Sequence, residues 1–315
     1  MSGEKKSGLR LATVIGAAMA LVSLAVILVV GVNSAKPKYP ETAEFLVSKF
    51  VDAKFLEGFT PGEPEYGFSL EALAQLSQSR VDISTSRMFL LEKSAEYLYS
   101  ESTPGVQPGL AGKFLFASKV TGADNSELLK KVIDDLLGQI SNDGTLQNGS
   151  TFDYSWAILG LRSQNLESKA ALLAKHLATL AREDGGFGFD QTEFTTSSSV
   201  DATAMAIQAL VAAGQELNSN SAVDRAIEFL NSNRIDGDHF VAFEAEDVNG
   251  TALALMALKA ATGEIDEPIH SYLVRQIRPD GGIGSPWVEE SGDQFATAQG
   301  YLALEGKSYL DLIRD

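Results

Sequence analysis

The chain has 315 residues, with 42 Asp and Glu against 25 Lys and Arg, 44% hydrophobic residues and no cysteine. A formal net charge of −17 opposes binding to nucleic acid or to anionic lipid surfaces. The absence of thiols excludes disulfides, thiolate-ligated metals and a lipid-modified N-terminal cysteine, so a domain of this length has to rest on its apolar core.

Residues 1–40 differ from the rest. Lys5, Lys6 and Arg10 mark a short basic segment over residues 1–10, predicted to be cytoplasmic, and no charge interrupts the 22 residues from Leu11 to Val32. At ~1.5 Å per residue that run spans the ~30 Å hydrocarbon core of a bilayer. It exceeds the ~7–15-residue apolar region of a cleaved signal peptide. Residues 11–32 therefore read as a transmembrane signal-anchor, with secretion after cleavage near Val32-Asn-Ser34 as the second reading. Residues 33–40, ending Lys36-Pro-Lys-Tyr-Pro40, read as a short, stiff spacer. Lys36 and Lys38 compete with the first basic cluster under the positive-inside bias, but a large domain behind a first apolar segment places residues 41–315 outside the cell membrane. Those residues carry 20 basic and 41 acidic side chains.

From residue 41 onward the chain repeats. Arg182-Glu-Asp-Gly185, Arg234-Ile-Asp-Gly237 and Arg278-Pro-Asp-Gly281 are copies of one loop, and Ser141-Asn-Asp-Gly144 is a degenerate fourth. Segments of small and apolar residues follow, ending at Leu161, Leu210, Leu258 and Leu304; weaker copies end at Leu76 and Ser118. A spacing of 42–49 residues marks a repeat architecture of six units. Each unit reads as outer helix, Asp-Gly loop, inner helix. In Ala222–Asn231 the apolar positions 222, 223, 226, 227, 229 and 230 form one stripe, as an outer helix requires. The inner segments are apolar nearly all round, so each must be covered on both sides, and neighbouring hairpins must stack. With no polar capping unit at either end, the fold class predicted is all-α: an (α/α)6 toroid over residues 41–315, preceded by the N-terminal transmembrane helix. In the loops, Gly supplies positive φ, Asp bonds nearby amides, and Arg complements the C-terminal end of the outer helix.

Outer helix, then Asp184-Gly-Gly-Phe-Gly188, then Asp201-Ala-Thr-Ala-Met-Ala-Ile-Gln-Ala-Leu210 resembles the repeat of the terpenoid cyclase and protein prenyltransferase superfamily; the cobalamin-carrier toroids are similar. The resemblance implies the toroid fold, and implies activity only where the enzymes' own groups are present. Prenyltransferase zinc needs Asp, Cys and His; this chain has no Cys and only His176, His239 and His270, so no metal site and no cofactor are expected. Proton-initiated cyclases use Asp-x-Asp-Asp, whereas Asp236-Gly-Asp238 runs on into His239. Asp134-Asp135 is not completed to Asp-Asp-x-x-Asp. The reading therefore leans away from an enzyme.

The candidate ligand site is the barrel mouth at the inner-helix N-termini. Tyr154, Trp156, Phe189, Phe194, His239 and Trp287 are expected to contact a ligand there, with Asp153 and Asp201 as polar contacts, although the acids also fit capping positions and the aromatics a plug. Glu183, Glu193, Glu244, Glu246, Asp247, Glu289 and Glu290 read as exposed loop acids. A negative mouth selects a neutral or cationic small ligand, apolar or amphipathic and of corrinoid or isoprenoid type, or a protein partner. The other reading is an extracytoplasmic carbohydrate-active enzyme, glycoside hydrolase or polysaccharide lyase, since (α/α)6 toroids host both; a divergent prenyl or terpene enzyme is a further one. A hydrolase would need two carboxylates about 5–5.5 or 6.5–9.5 Å apart across a cleft.

Overall fold

The computed structural model describes residues 36–93, 96–100, 103–123, 125–147, 149–189 and 197–314. The predicted anchor, Leu11–Val32, lies outside them; among the described residues no helix is long and apolar enough to cross a membrane. Outer and inner helices alternate along the chain: α1 (Pro40–Ser48), α2 (Tyr66–Leu76), α3 (Ser84–Arg87), α4 (Pro108–Thr121), α5 (Ser126–Leu137) and α6 (Thr151–Ser163). The series continues with α7 (Glu167–Thr179), α8 (Val200–Ala212), α9 (Ala222–Ser232), α10 (Val248–Thr262), α11 (Glu267–Arg275) and α12 (Gln294–Leu304), and ends in α13 (Tyr309–Arg314). Short antiparallel hairpins lie in three of the outer-to-inner connections: Phe50–Val51 with Phe55–Leu56, Tyr99–Ser100 with Thr103–Val106, and Val241–Ala242 with Ala245–Glu246.

The six even-numbered helices from α2 to α12 each pack on the next, and α12 packs on α2, so the ring is closed. Burial follows the sequence pattern. In α9 only Val223, Ala226, Phe229 and Leu230 are buried, one stripe of an amphipathic outer helix. In α8 every residue from Ala202 to Leu210 is buried, because outer helices cover one side and the barrel interior the other. Small residues let the inner helices approach closely: a Cβ on Gly112 would lie 2.2 Å from the Trp156 carbonyl group, and one on Gly160 2.5 Å from the Gly112 oxygen. The second unit departs from the expected hairpin. Its outer segment is the single turn α3, a π-helical turn at Met88–Lys93 and a 3-10 turn at Glu96–Leu98.

Three of the Asp-Gly loops share their bonding. Gly144, Gly185 and Gly281 have φ of +87, +85 and +88°, and each N–H bonds the carbonyl three residues back, at Ser141, Arg182 and Arg278. The aspartate closes the turn from its side chain: Asp184 Oδ1 accepts from Gly186 N at 3.0 Å and Asp280 Oδ1 from Gly282 N at 3.1 Å. Each glycine also abuts the next outer helix. A Cβ there would stand 2.4 Å from Leu172 O, 2.5 Å from Arg225 O and 2.6 Å from Glu41 O respectively. The last of these joins unit six to unit one. The loop arginine has a different role from the one its position suggests: Arg182 and Arg278 lie against Gly188 and Gly284, where a Cβ would strike the guanidinium, and Arg234 bonds Asp266 at 2.6 Å.

A second tie carries the chain from loop to inner helix. The buried loop residues Leu56, Phe187, Phe240 and Ile283 each donate their N–H to a hydroxyl one turn into the next helix: Ser69, Thr203, Thr251 and Thr297, at 2.8–3.1 Å. Each hydroxyl in turn donates to the carbonyl four residues before it. In the third unit the Tyr154 hydroxyl accepts from Leu146 N instead, at 2.7 Å.

Gly185→Ala should cost about 2–5 kcal/mol, from a left-handed alanine and overpacking against Arg225 together. Gly237 has φ +81° but nothing within 4 Å of a built Cβ, so Gly237→Ala should cost only about 1–2 kcal/mol. Equal shifts of the two variants in urea denaturation would show that packing against the neighbour contributes nothing.

Candidate functional site at the barrel mouth

Inner-helix N-termini converge on one face, and carboxylates meet most of them. Glu65 accepts from Gly67 N, Asp247 from Gly250 N at 2.8 Å, and Asp293 from Phe295 N at 2.8 Å. Ser150 and Asp153 form a reciprocal capping box on α6. The other Asp153 oxygen accepts from Gly109 N at 3.0 Å, so one side chain serves two helices. Asp201, in the first turn of α8, accepts from Ala202 N at 2.8 Å.

Within this ring of caps lies a cavity of about 390 Å³ to which all six inner helices contribute. Phe68, Leu110, Phe152, Trp156, Phe189 and Leu253 form its apolar walls; Asp153, Asp201, Asp247 and Asn249 line it with Lys113 and Gln299. A larger groove of about 820 Å³ shares Phe189, Asp201, Asp247 and Asn249 with it and runs outward past Phe243 and Trp287. Burial raises the Asp247 carboxyl above its ordinary range; the Gly250 N–H opposes that and the charge of Asp201 adds to it.

Below the cavity the barrel is filled. Helix α13 inserts Tyr309, fully buried, against Trp156 and Phe116 at ring separations of 4.9 and 5.6 Å. Burial pushes its hydroxyl well up, so it stays protonated and donates to Glu71 Oε1 at 2.6 Å while accepting from Gln75 Nε2 at 3.1 Å. The other Glu71 oxygen holds Lys113 Nζ at 2.9 Å. Lys113 also bonds Gly67 O and stands 5.0 Å over the Trp156 ring. Asn249 donates to Gln299 at 2.8 Å, and Gln299 donates to Glu71 at 3.4 Å. This polar floor links α2, α4, α10, α12 and α13.

The expected site residues divide. Trp156, Phe189, Asp153 and Asp201 line the cavity, and Trp287, 70% exposed, stands on the adjoining groove. Tyr154 does not reach the mouth: it is buried against His176 of α7, the rings stacked at 5.4 Å. His239 is also withdrawn, stacked on Tyr272 of α11 at 4.9 Å with Nδ1 2.7 Å from Asp238. Phe194 lies outside the described residues. Asp247 is a half-buried cap rather than an exposed loop acid; Asn249 begins the helix without capping it. Leu253 has no signal beyond its place on an apolar inner helix. The truncated acid run is occupied structurally. Asp238 accepts from Arg275 at 2.6 Å, and its carboxyl is held below the ordinary range chiefly by His239, then by Arg275.

Several solved structures share this fold. Type II terpene cyclase MstE from Scytonema matches with a TM-score of 0.63 over 84% of this chain and 96% of that one, at 14% identity. The chain has the terpene-cyclase-like helical toroid fold. A variant of MstE in complex with geranylgeranyl dihydroxybenzoate matches with a TM-score of 0.62 over 86% and 96% of the two chains, at 13% identity. A protein from Actinoplanes matches with a TM-score of 0.59 over 87% and 98%, at 14% identity. At these identities the likeness is one of fold. No protein-family model and no curated protein matches the sequence.

Removing Lys113 alone leaves Glu71 charged and buried, so Lys113→Met should destabilise by about 3–5 kcal/mol. The double variant Lys113→Met/Glu71→Gln should recover a substantial part, read as a coupling energy from urea midpoints. Additive losses would mean that the pair is not coupled.

Proposed function

We propose that residues 41–315 form a non-catalytic binding toroid that takes a small apolar or amphipathic ligand at its mouth and is held outside the cell membrane by Leu11–Val32. The observation that carries the reading is the cavity itself: it is walled by four aromatic rings, floored by a satisfied polar network, and open on the loop face. Concave, mostly apolar sites with a few fixed polar groups are the usual form of a ligand site. Exposure supports the same face. Phe59, Phe189, Ile235, Val241, Phe243 and Trp287 are large, exposed and all in outer-to-inner connections. Among the described residues Leu217 alone is comparable on the opposite connections. Apolar side chains gathered on one face mark a contact surface. A variant of MstE binds geranylgeranyl dihydroxybenzoate, which makes prenyl chains the first probe.

One observation favours a second reading, acid-initiated chemistry on such a ligand. Asp247 is a carboxyl raised by burial beside an aromatic-walled cavity, the condition under which a carboxylic acid retains its proton. Against it, Asp247 caps α10 through Gly250 N, a bond that favours the charged form.

Geraniol, farnesol and geranylgeraniol titrated against the Trp287→Ala variant, with Trp156 as the single reporter, should bind progressively tighter, from roughly millimolar Kd for the first to roughly tens of micromolar for the last at about −0.3 kcal/mol per heavy atom. Leu110→Phe, which narrows the cavity from its wall without adding a tryptophan, should abolish the response. No response from any of the three would remove the prenyl-type ligand, and chromatographic detection of cyclised product would favour the enzyme reading. For the anchor, Ala20→Arg should cost about 2.5–3.5 kcal/mol of insertion at mid-span and release the protein from the membrane fraction. Extraction of the unaltered chain by high salt alone would count against a span.

A further inference from the structure

We propose that the ligand carries a cationic head, of ammonium type, held where the cavity meets the outer groove by Asp201 and Asp247, with its apolar body against Phe68, Phe152 and Trp156. This deepens the binding reading above and rests on it. Asp201 and Asp247, with Phe189, line both spaces and so mark their junction.

The charge balance has two opposing parts. Six inner-helix N-termini face the mouth, each equivalent to about +0.5 charge, which favours an anion. Five carboxylates stand at those termini: Glu65, Asp153, Asp201, Asp247 and Asp293. Five full charges outweigh six half-charges. Lys113 is the one basic residue lining the cavity, and Glu71 at 2.9 Å cancels it. The acids also differ in what they have left to offer. Asp153 has both oxygens engaged, by Gly109 N and by Ser150. Asp201 and Asp247 each accept one backbone N–H at Oδ1. Among the described residues neither Oδ2 accepts a hydrogen bond, and neither carboxylate has a basic partner. Two unpaired carboxylates beside the exposed ring of Phe189 provide ion pairing and a π-face together, the combination that selects ammonium groups. Burial raises the Asp247 carboxyl and the Asp201 charge adds to it, and a cation beside both opposes that rise. The cavity already accommodates such a group in its floor, where the Lys113 ammonium stands over Trp156 and Phe68 at 5.0 and 5.6 Å.

The test uses the full chain in phosphatidylcholine nanodiscs, with three water-soluble probes matched in chain length: hexyltrimethylammonium, hexanol and hexanoate. Trp156 fluorescence in the Trp287→Ala background should show the ammonium binding about tenfold or more tighter than the alcohol, and the carboxylate weakest, on the basis that one partly desolvated ion pair is worth a factor of about ten. Asn is as good a helix cap as Asp, and Asp201 does not cap α8, so Asp201→Asn/Asp247→Asn should fold and lose the ammonium preference, read as the ratio of ammonium to alcohol affinity. Asp201→Asn alone, which leaves the α10 cap intact, should lose part of it. Alcohol binding equal to or tighter than ammonium binding, or a preference that survives the double substitution, overturns the cationic head while leaving the mouth as an apolar site. If none of the three probes binds, the mouth site fails and the inference falls with it.

Discussion

The toroid closes because a glycine in three of the Asp-Gly turns lets the loop touch the backbone of the neighbouring outer helix. Positive φ alone would favour glycine, but Gly237 has that conformation with open space around it. At Gly144, Gly185 and Gly281 the requirement is doubled, since a carbonyl oxygen of the next unit stands where a Cβ would be. The turn is therefore an intersubunit-like contact repeated within one chain. At its last copy it meets Glu41 in the first outer helix, and an open stack of hairpins becomes a ring. The hydroxyl tie from loop to inner helix then fixes the height of each inner helix against its loop.

Ring closure dictates what happens at the two ends of the barrel. Inner helices lined with Ala and Gly approach too closely to leave a wide channel, and the lower half is filled by Tyr309 and its partners. The upper half cannot be filled in the same way. The N-terminal amides there need acceptors, and the carboxylates that supply them hold the loops apart. The cavity lies in the region where helix capping takes precedence over core packing.

Much of the architecture was legible from the sequence because its signals are periodic. The six-unit register, the amphipathic outer helices and the doubly covered inner helices follow from composition at regular spacing, and the structure reproduces them apart from the second outer segment. There Ser84–Leu98 lacks an uninterrupted apolar stripe and breaks into short turns. The site was less legible because a helix apolar all round gives no indication of which face turns inward. Tyr154 and Trp156 were both assigned to the mouth, yet residues two apart on a helix point about 200° apart. Trp156 turns to the barrel and Tyr154 to His176. His239 has a comparable history: a loop position suggested exposure, but the fifth unit carries one extra residue between its arginine and its buried hydrophobe, Phe240, and the chain tucks the imidazole against Tyr272. The Lys113–Glu71 ion pair depends on a contact between units, which spacing within a unit cannot show, whereas Asp247, read as an exposed loop acid, is a local cap on α10.

The acidic mouth links folding to recognition in an unusual order. Glu65, Asp153, Asp247 and Asp293 are explained by helices that need caps, and Asp201 by a place in the first turn of α8. Three of them, Asp153, Asp201 and Asp247, line one cavity, however, and their charge is not fully spent on the helix ends. The field that a ligand meets is thus the remainder of a stability requirement. On this architecture the sign of that field is hard to invert by small steps, since replacing a cap with a basic side chain would expose the amides it serves. Neutral caps such as Asn or Ser can lower the field without loss of fold. Selectivity in a toroid of this kind is then set less by residues added to the cavity than by which of its helix ends are capped with a charge.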